Sequence, residues 1–197
     1  MTHTVTPQLT SPQANQWLKP YYFSRAAFSA VWVLAALTIG KSMPGVAAAL
    51  LLVYPAWDAV ANFVDARRHG GLRRNLPQSL NMIASAVTAA GVAITLGISM
   101  NAVLGVFGVW AVLSGLFQLA TGVRRWKHAG AQWAMILSGA QSALAGAFFI
   151  NQAYAPTVPS IAVVAPYAAF GAFYFLLSAV WLTVSDMRRR KTAAIQG

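Results

Sequence analysis

The chain contains no cysteine and no glutamate, and its acids are three aspartates, Asp58, Asp65 and Asp186. Without cysteine there is no disulfide framework, no thiolate nucleophile and no thiolate-bound metal. With so few carboxylates, most acid–base and metal-assisted reactions lack their groups. Charged residues make up 9% of the 197 positions, against roughly a quarter in a soluble domain. No complete Walker phosphate loop, no His-Glu-x-x-His and no Gly-x-Ser-x-Gly elbow is present. His3, His69 and His128 all fall outside the apolar blocks, so no span offers an imidazole base. These absences predict a protein that is not an enzyme and that holds no cofactor and no metal.

What is present is apolar: 58% of the residues are hydrophobic, gathered in long blocks. A helix of about 20 apolar residues crosses a bilayer core about 30 Å thick. Six blocks have that length, at about 24–41, 44–66, 77–98, 101–123, 131–152 and 160–185. Backbone polar groups inside a membrane must be satisfied within the segment, so the blocks are expected to be helices. The predicted fold is all-α, a polytopic six-helix transmembrane bundle. Residues 1–23 are polar and rich in Thr, Pro and Gln, and are expected to form a flexible cytoplasmic arm. They lack the basic and apolar regions of a secretory signal. Residues 24–186 form the membrane domain and 187–197 a basic tail. Trp17, Tyr21, Tyr22 and Phe23 read as an aromatic anchor before the first span.

The charge surplus is directional. Lysine and arginine number 14 and the formal net charge is +11. Arg67, Arg68, Arg73 and Arg74 follow the second span; Arg124, Arg125 and Lys127 follow the fourth; Arg188, Arg189, Arg190 and Lys191 follow the sixth. Lys19 and Arg25 precede or open the first, and Lys41 alone lies on the other side. The positive-inside rule then places both termini in the cytoplasm. In a soluble chain such basicity would point to nucleic acid. Here every cluster abuts a span end, so the expected partner is the anionic headgroup layer of a bilayer, and no nucleic acid is expected.

An internal repeat accompanies the blocks. A shift of 57 residues lays Thr38-Ile39-Gly40-Lys41-Ser42-Met43 on Thr95-Leu96-Gly97-Ile98-Ser99-Met100, Val46 on Val103, and Arg67-Arg68 on Arg124-Arg125. With a longer connection allowed, Leu177-Ser178 falls on Leu113-Ser114 and Arg188-Arg189 on Arg124-Arg125. The bundle is therefore expected to consist of three parallel-repeat helical hairpins, at about 24–66, 77–123 and 131–185. Many secondary transporters use inverted repeats instead.

The run GVFGVWAVLSGLFQLATGVRR at 105–125, followed by WAMILSG at 133–139 and LAG at 144–146, carries a resemblance. It is similar to the HdeD-like acid-resistance membrane proteins, a family built from a short membrane repeat of unknown function. The likeness spans roughly 80–190. It implies a bacterial inner-membrane protein with six spans and a link to acid resistance, and it brings no catalytic residues. The Trp57-Asp58…Asn62…Asp65 segment departs from the family's apolar pattern.

Intramembrane ionisable residues are costly and are functional candidates by default. Asp58, Asn62 and Asp65 sit at i, i+4 and i+7, on one helix face, as a polar strip. The strip either faces a water-filled vestibule and carries protons, or bonds a neighbouring helix and pairs with arginine; the second reading is preferred. Asn81, Gln118 and Gln141 read as interhelical contacts, and Gln118 could meet Gln141. Small residues recur every fourth position at Ser85, Ala89, Ala93 and Gly97, and at Ala134, Ser138, Ser142 and Gly146, which predicts close helix packing. His69 and His128 read as solvated loop residues rather than pH sensors. Trp32, Trp57 and Trp110 read as core packing.

The function expected from all this is a non-enzymatic inner-membrane factor in acid or envelope stress tolerance. The alternatives are a small-solute or proton channel or transporter using the strip on span two, and a structural partner of another membrane protein or of a second copy.

Overall fold

The computed structural model describes residues 11–68, 71–125 and 132–196. Lys127, His3, His69 and His128 lie outside the described residues. Six helices follow one another: α1 (Ser11–Leu37), α2 (Pro44–Arg68), α3 (Leu76–Thr95), α4 (Met100–Arg125), α5 (Gln132–Ala153) and α6 (Ala165–Gln196). A single 3₁₀ turn, Ile161–Val163, precedes α6. Among the described residues, four stretches are long and apolar enough to cross a membrane: Pro44–Arg68, Leu76–Thr95, Met100–Ala120 and Ile161–Arg188. The chain is thus an all-helical, multi-pass membrane protein.

Its surface is inverted relative to a soluble bundle. Leu144 and Ile98 are 73% and 70% exposed, whereas Ser85 and Ala36 are fully buried. Large side chains face outward, where lipid is as good a solvent as protein, and small or hydrogen-bonding residues let the helices approach.

Two terminal expectations are corrected. The arm expected over 1–23 is helical from Ser11 onward, because Trp17, Tyr21 and Tyr22 pack along the helix and against α6: Tyr22 stacks on Phe175 at 6.1 Å, and Lys19 forms an ion pair with Asp186. Pro20 sits inside α1 and is exposed. The tail expected over 187–197 is the continuation of α6, which runs through the basic run to Gln196.

The helices run alternately up and down, which brings Lys19, Arg67, Arg68, Arg73, Arg74 and the last turns of α4 and α6 to one end of the bundle. The closest backbone approaches are α4 with α5, α1 with α6, and α2 with α3. The expected hairpin mates α1 and α2 touch through large side chains instead. Phe28 stacks on Trp57 at 4.7 Å, and the Trp32 indole donates to the Leu50 carbonyl at 2.7 Å. That bond joins the helices beside Pro55, whose missing N–H breaks the α2 ladder.

The α4–α5 seam has a local cause. A Cβ on Gly115 would stand 2.5 Å from the Gly139 carbonyl oxygen, and one on Gly146 2.6 Å from that of Gly108. Glycines at 108 and 115 on one helix therefore face 146 and 139 on the other. The stripe on α3 behaves differently: Ser85 is buried, but Ala93 and Gly97 turn outward. Around the core, Trp32, Leu51, Val92, Phe107, Phe149, Ile161 and Val164 are buried in one cluster. Ile161 and Val164 reach it because the connection after α5 folds back, with the Ser160 hydroxyl accepting from the Ala162 N–H.

Candidate functional site

Asp58 lies in the middle of α2 and is 8% exposed. Its neighbours on the same face, Asn62 and Asp65, are also buried, as a helical repeat of 3.6 residues dictates. One carboxylate oxygen of Asp58 takes the ion pair from Arg25 Nη2 of α1. The other accepts from three side chains: Ser85 Oγ at 2.7 Å, Asn62 Nδ2 at 2.9 Å and Asn81 Nδ2 at 3.4 Å. The Asn62 amide also bonds the Asp58 backbone carbonyl at 2.8 Å, which fixes its orientation.

The network continues into α4. Ser85 Oγ accepts from the Trp110 indole at 3.0 Å, and Asn81 Oδ1 accepts from Ser114 Oγ at 2.9 Å. Arg25 is held from two further sides. It donates to the Tyr21 hydroxyl at 3.1 Å, and its guanidinium lies 4.2 Å from the centre of the Phe175 ring on α6. One buried carboxylate thereby connects α1, α2, α3 and α4 by hydrogen bonds, and its arginine extends the contact to α6. Buried charges persist when paired and hydrogen-bonded, and both conditions hold here.

Beside the ion pair runs an aromatic column. Tyr54 meets Trp110 edge-on at 5.9 Å, and Trp110 meets Tyr167 at 6.0 Å. Each of the three carries a polar atom bonded to a buried serine. Tyr54 bonds Ser29, Trp110 bonds Ser85, and the Tyr167 hydroxyl lies 3.2 Å from Ser142 Oγ. In every case serine and aromatic are 25 residues apart, on successive helices. Ser142 also donates to the Ala111 carbonyl at 2.9 Å.

Residues 82–151, just over a third of the chain, match a family described as a short repeat of unknown function (DUF308). No curated protein matches the chain, and no solved structure does. The matched stretch covers most of α3, all of α4 and nearly all of α5. It includes Ser85, Trp110, Ser114 and Ser142 and both sides of the glycine seam, but not Arg25 or Asp58. The similarity thus falls on the shared helical scaffold, and the ion pair belongs to the part outside it.

The remaining sequence candidates are placed as follows. Asn81 enters the network. Asp65 is buried one turn before the end of α2, while Arg67 lies over the Phe63 ring at 5.4 Å and Arg68 over the Trp17 ring at 4.6 Å. The Gln141 carbonyl oxygen is buried without a hydrogen-bond partner. Arg124 and Arg125 end α4, and Arg188, Arg189, Arg190 and Lys191 lie in the last turns of α6. Four contributors carried no functional signal in the sequence. Arg25 was counted with the orienting charges, Ser85 with the small-residue stripe, and Trp110 with the core. Ser114 entered only through the repeat alignment. A spacing of 25 between serine and aromatic is the pattern that would have linked two of them.

Chemically, the arrangement fixes rather than frees its carboxylate. Four donors occupy its oxygens, so none projects into open space as a base or ligand. Among the described residues no three His, Cys, Asp or Glu side chains converge to hold a metal ion. The groove lined by Asn101, Gly105, Val109, Ile150 and Tyr154 lies at the opposite end of α4 and α5, away from Asp58.

Proposed function

We propose that the chain is a bacterial cytoplasmic-membrane protein with six spans and both termini in the cytoplasm. It consists of three parallel hairpins and acts without catalysis as a fixed helical scaffold in acid or envelope stress tolerance. The observation that carries this reading is the closed set of donors on Asp58. A carboxylate so engaged ties helices together and leaves no open route for a proton or solute along span two. The three serine–aromatic bonds, one for each expected hairpin, support the repeat. The bridging of five helices supports a rigid membrane factor over a transporter, whose helices must move against one another. The stress role rests on the resemblance to the HdeD-like proteins and on the matched short repeat.

The test is a deletion strain challenged at low pH and, separately, with an envelope-damaging detergent. Survival should fall at least tenfold in one challenge and return with the gene. Equal survival in both challenges sinks the stress role. A solute or proton flux carried by the purified protein in liposomes would replace the scaffold reading with transport.

A further inference from the structure

Positive charge near span ends is explained by orientation alone, but orientation asks nothing of geometry. The described residues on either side of the α2–α3 connection have a definite geometry. Gly71 takes φ +93°, a value that L side chains rarely adopt, and its N–H bonds the Ala66 carbonyl at 2.9 Å. The Asn75 amide donates to the Gly71 carbonyl at 3.0 Å and approaches that of Ala66 at 3.4 Å, while Ser79 Oγ donates to Leu72 at 2.7 Å. These bonds pin both shoulders of the turn. Two arginines stand on each shoulder: Arg67 and Arg68 close α2, and Arg73 and Arg74 lead into α3. All four are exposed.

Among the described residues, none of the four is in an ion pair. The ion pairs among the described residues are Lys19 with Asp186 and Arg25 with Asp58. Four like charges are therefore held together where anionic headgroups begin. Arg68 is positioned further, stacked on Trp17 at 4.6 Å. The Trp17 indole N–H is buried and has no acceptor in the protein.

We propose that these four arginines, with Arg68 held on the Trp17 ring, form a specific site for one anionic phospholipid carrying two phosphates. Each arginine pair takes one phosphodiester, as guanidinium groups do in bidentate fashion. The site rests on the reading of this end as membrane-facing, but not on which side of the membrane it faces.

The experiment is native mass spectrometry of the full chain in detergent, titrated with a diphosphatidylglycerol, a monophosphate phosphatidylglycerol or phosphatidylcholine. A single retained diphosphatidylglycerol is expected, with at least tenfold preference over phosphatidylcholine. Each arginine changed to glutamine at 67, 68, 73 or 74 should weaken it about fivefold, the change that about 1 kcal/mol per basic residue at an anionic surface implies. The pair Arg124→Gln/Arg125→Gln should leave it in place. Arg68→Lys keeps the charge but loses the planar stack, so it should weaken binding more than an unchanged charge allows. Uptake of many lipids without a plateau, unchanged binding in Arg68→Gln, or displacement by inorganic pyrophosphate at equal concentration would overturn the site. Diffuse adsorption is the first case, and a free-phosphate site the last. A labelling result placing this end outside the cell would remove the proposed orientation while leaving the lipid site standing.

Discussion

Asp58 and Arg25 each answer a cost that the other alone would impose. Their side chains are 11% and 12% exposed, and in such surroundings an isolated ion loses several kcal/mol of hydration. Asp58→Asn keeps the shape but leaves the guanidinium without its counter-charge. It also turns an amide N–H₂ toward donors that need an acceptor. Stability should fall by about 3–5 kcal/mol, the usual result of breaking a buried pair from one side. Unfolding of the purified protein by a graded sodium dodecyl sulfate titration measures this. The double change Arg25→Leu/Asp58→Leu should recover only the part of the loss owed to the unpaired guanidinium, because Ser85, Asn62 and Asn81 still lose their acceptor. A single mutant as stable as the parent would show that the pair does not hold the helices.

Helix contacts in this bundle come in two kinds. α4 and α5 meet backbone to backbone through glycines, whereas α1 and α2 meet through Trp57, Phe28, Trp32 and the ion pair. Gly115→Ala should therefore force α4 and α5 apart, because its Cβ would lie 2.5 Å from a carbonyl oxygen that cannot move aside. A loss of about 1–3 kcal/mol is expected, as for other overpacked cores, while Gly45→Ala, which meets nothing within 4 Å, should cost far less. The same detergent titration separates the two. Element positions were legible in the sequence because each block is predominantly apolar over about 20 residues, and the observed helices begin and end within a few residues of the expected blocks, apart from the two terminal extensions. The face shared by Asp58, Asn62 and Asp65 was legible from helical spacing. Their partners were not. Hydropathy reads each residue by itself, so Ser85 counts as small and Trp110 as apolar, although the first accepts and the second donates in the same bond. Which helices pack closest was likewise hidden, because a glycine permits an approach without naming its partner.

For the molecule as a whole, the alternating helices collect the described arginines of two connections and the basic run near the end of α6 at one end, leaving Lys41 and Thr157 at the other. The absence of native cysteine makes the orientation simple to test. In intact cells a membrane-impermeant maleimide should label Lys41→Cys and Thr157→Cys and spare Arg73→Cys, with all three labelled after lysis. The opposite pattern would invert the proposed topology. The clasp between α1 and α6 also carries a consequence for biogenesis. Lys19 and Arg25 find Asp186 and Phe175 on α6, made only after the four helices between them. Most of α1's close backbone contacts are with α6, so α1 stands only partly anchored until α6 is made. Until then the Arg25–Asp58 pair, the Phe28–Trp57 stack and the Trp32–Leu50 bond hold α1 beside α2, and a chain truncated before α6 leaves α1 without its most extensive helix contact.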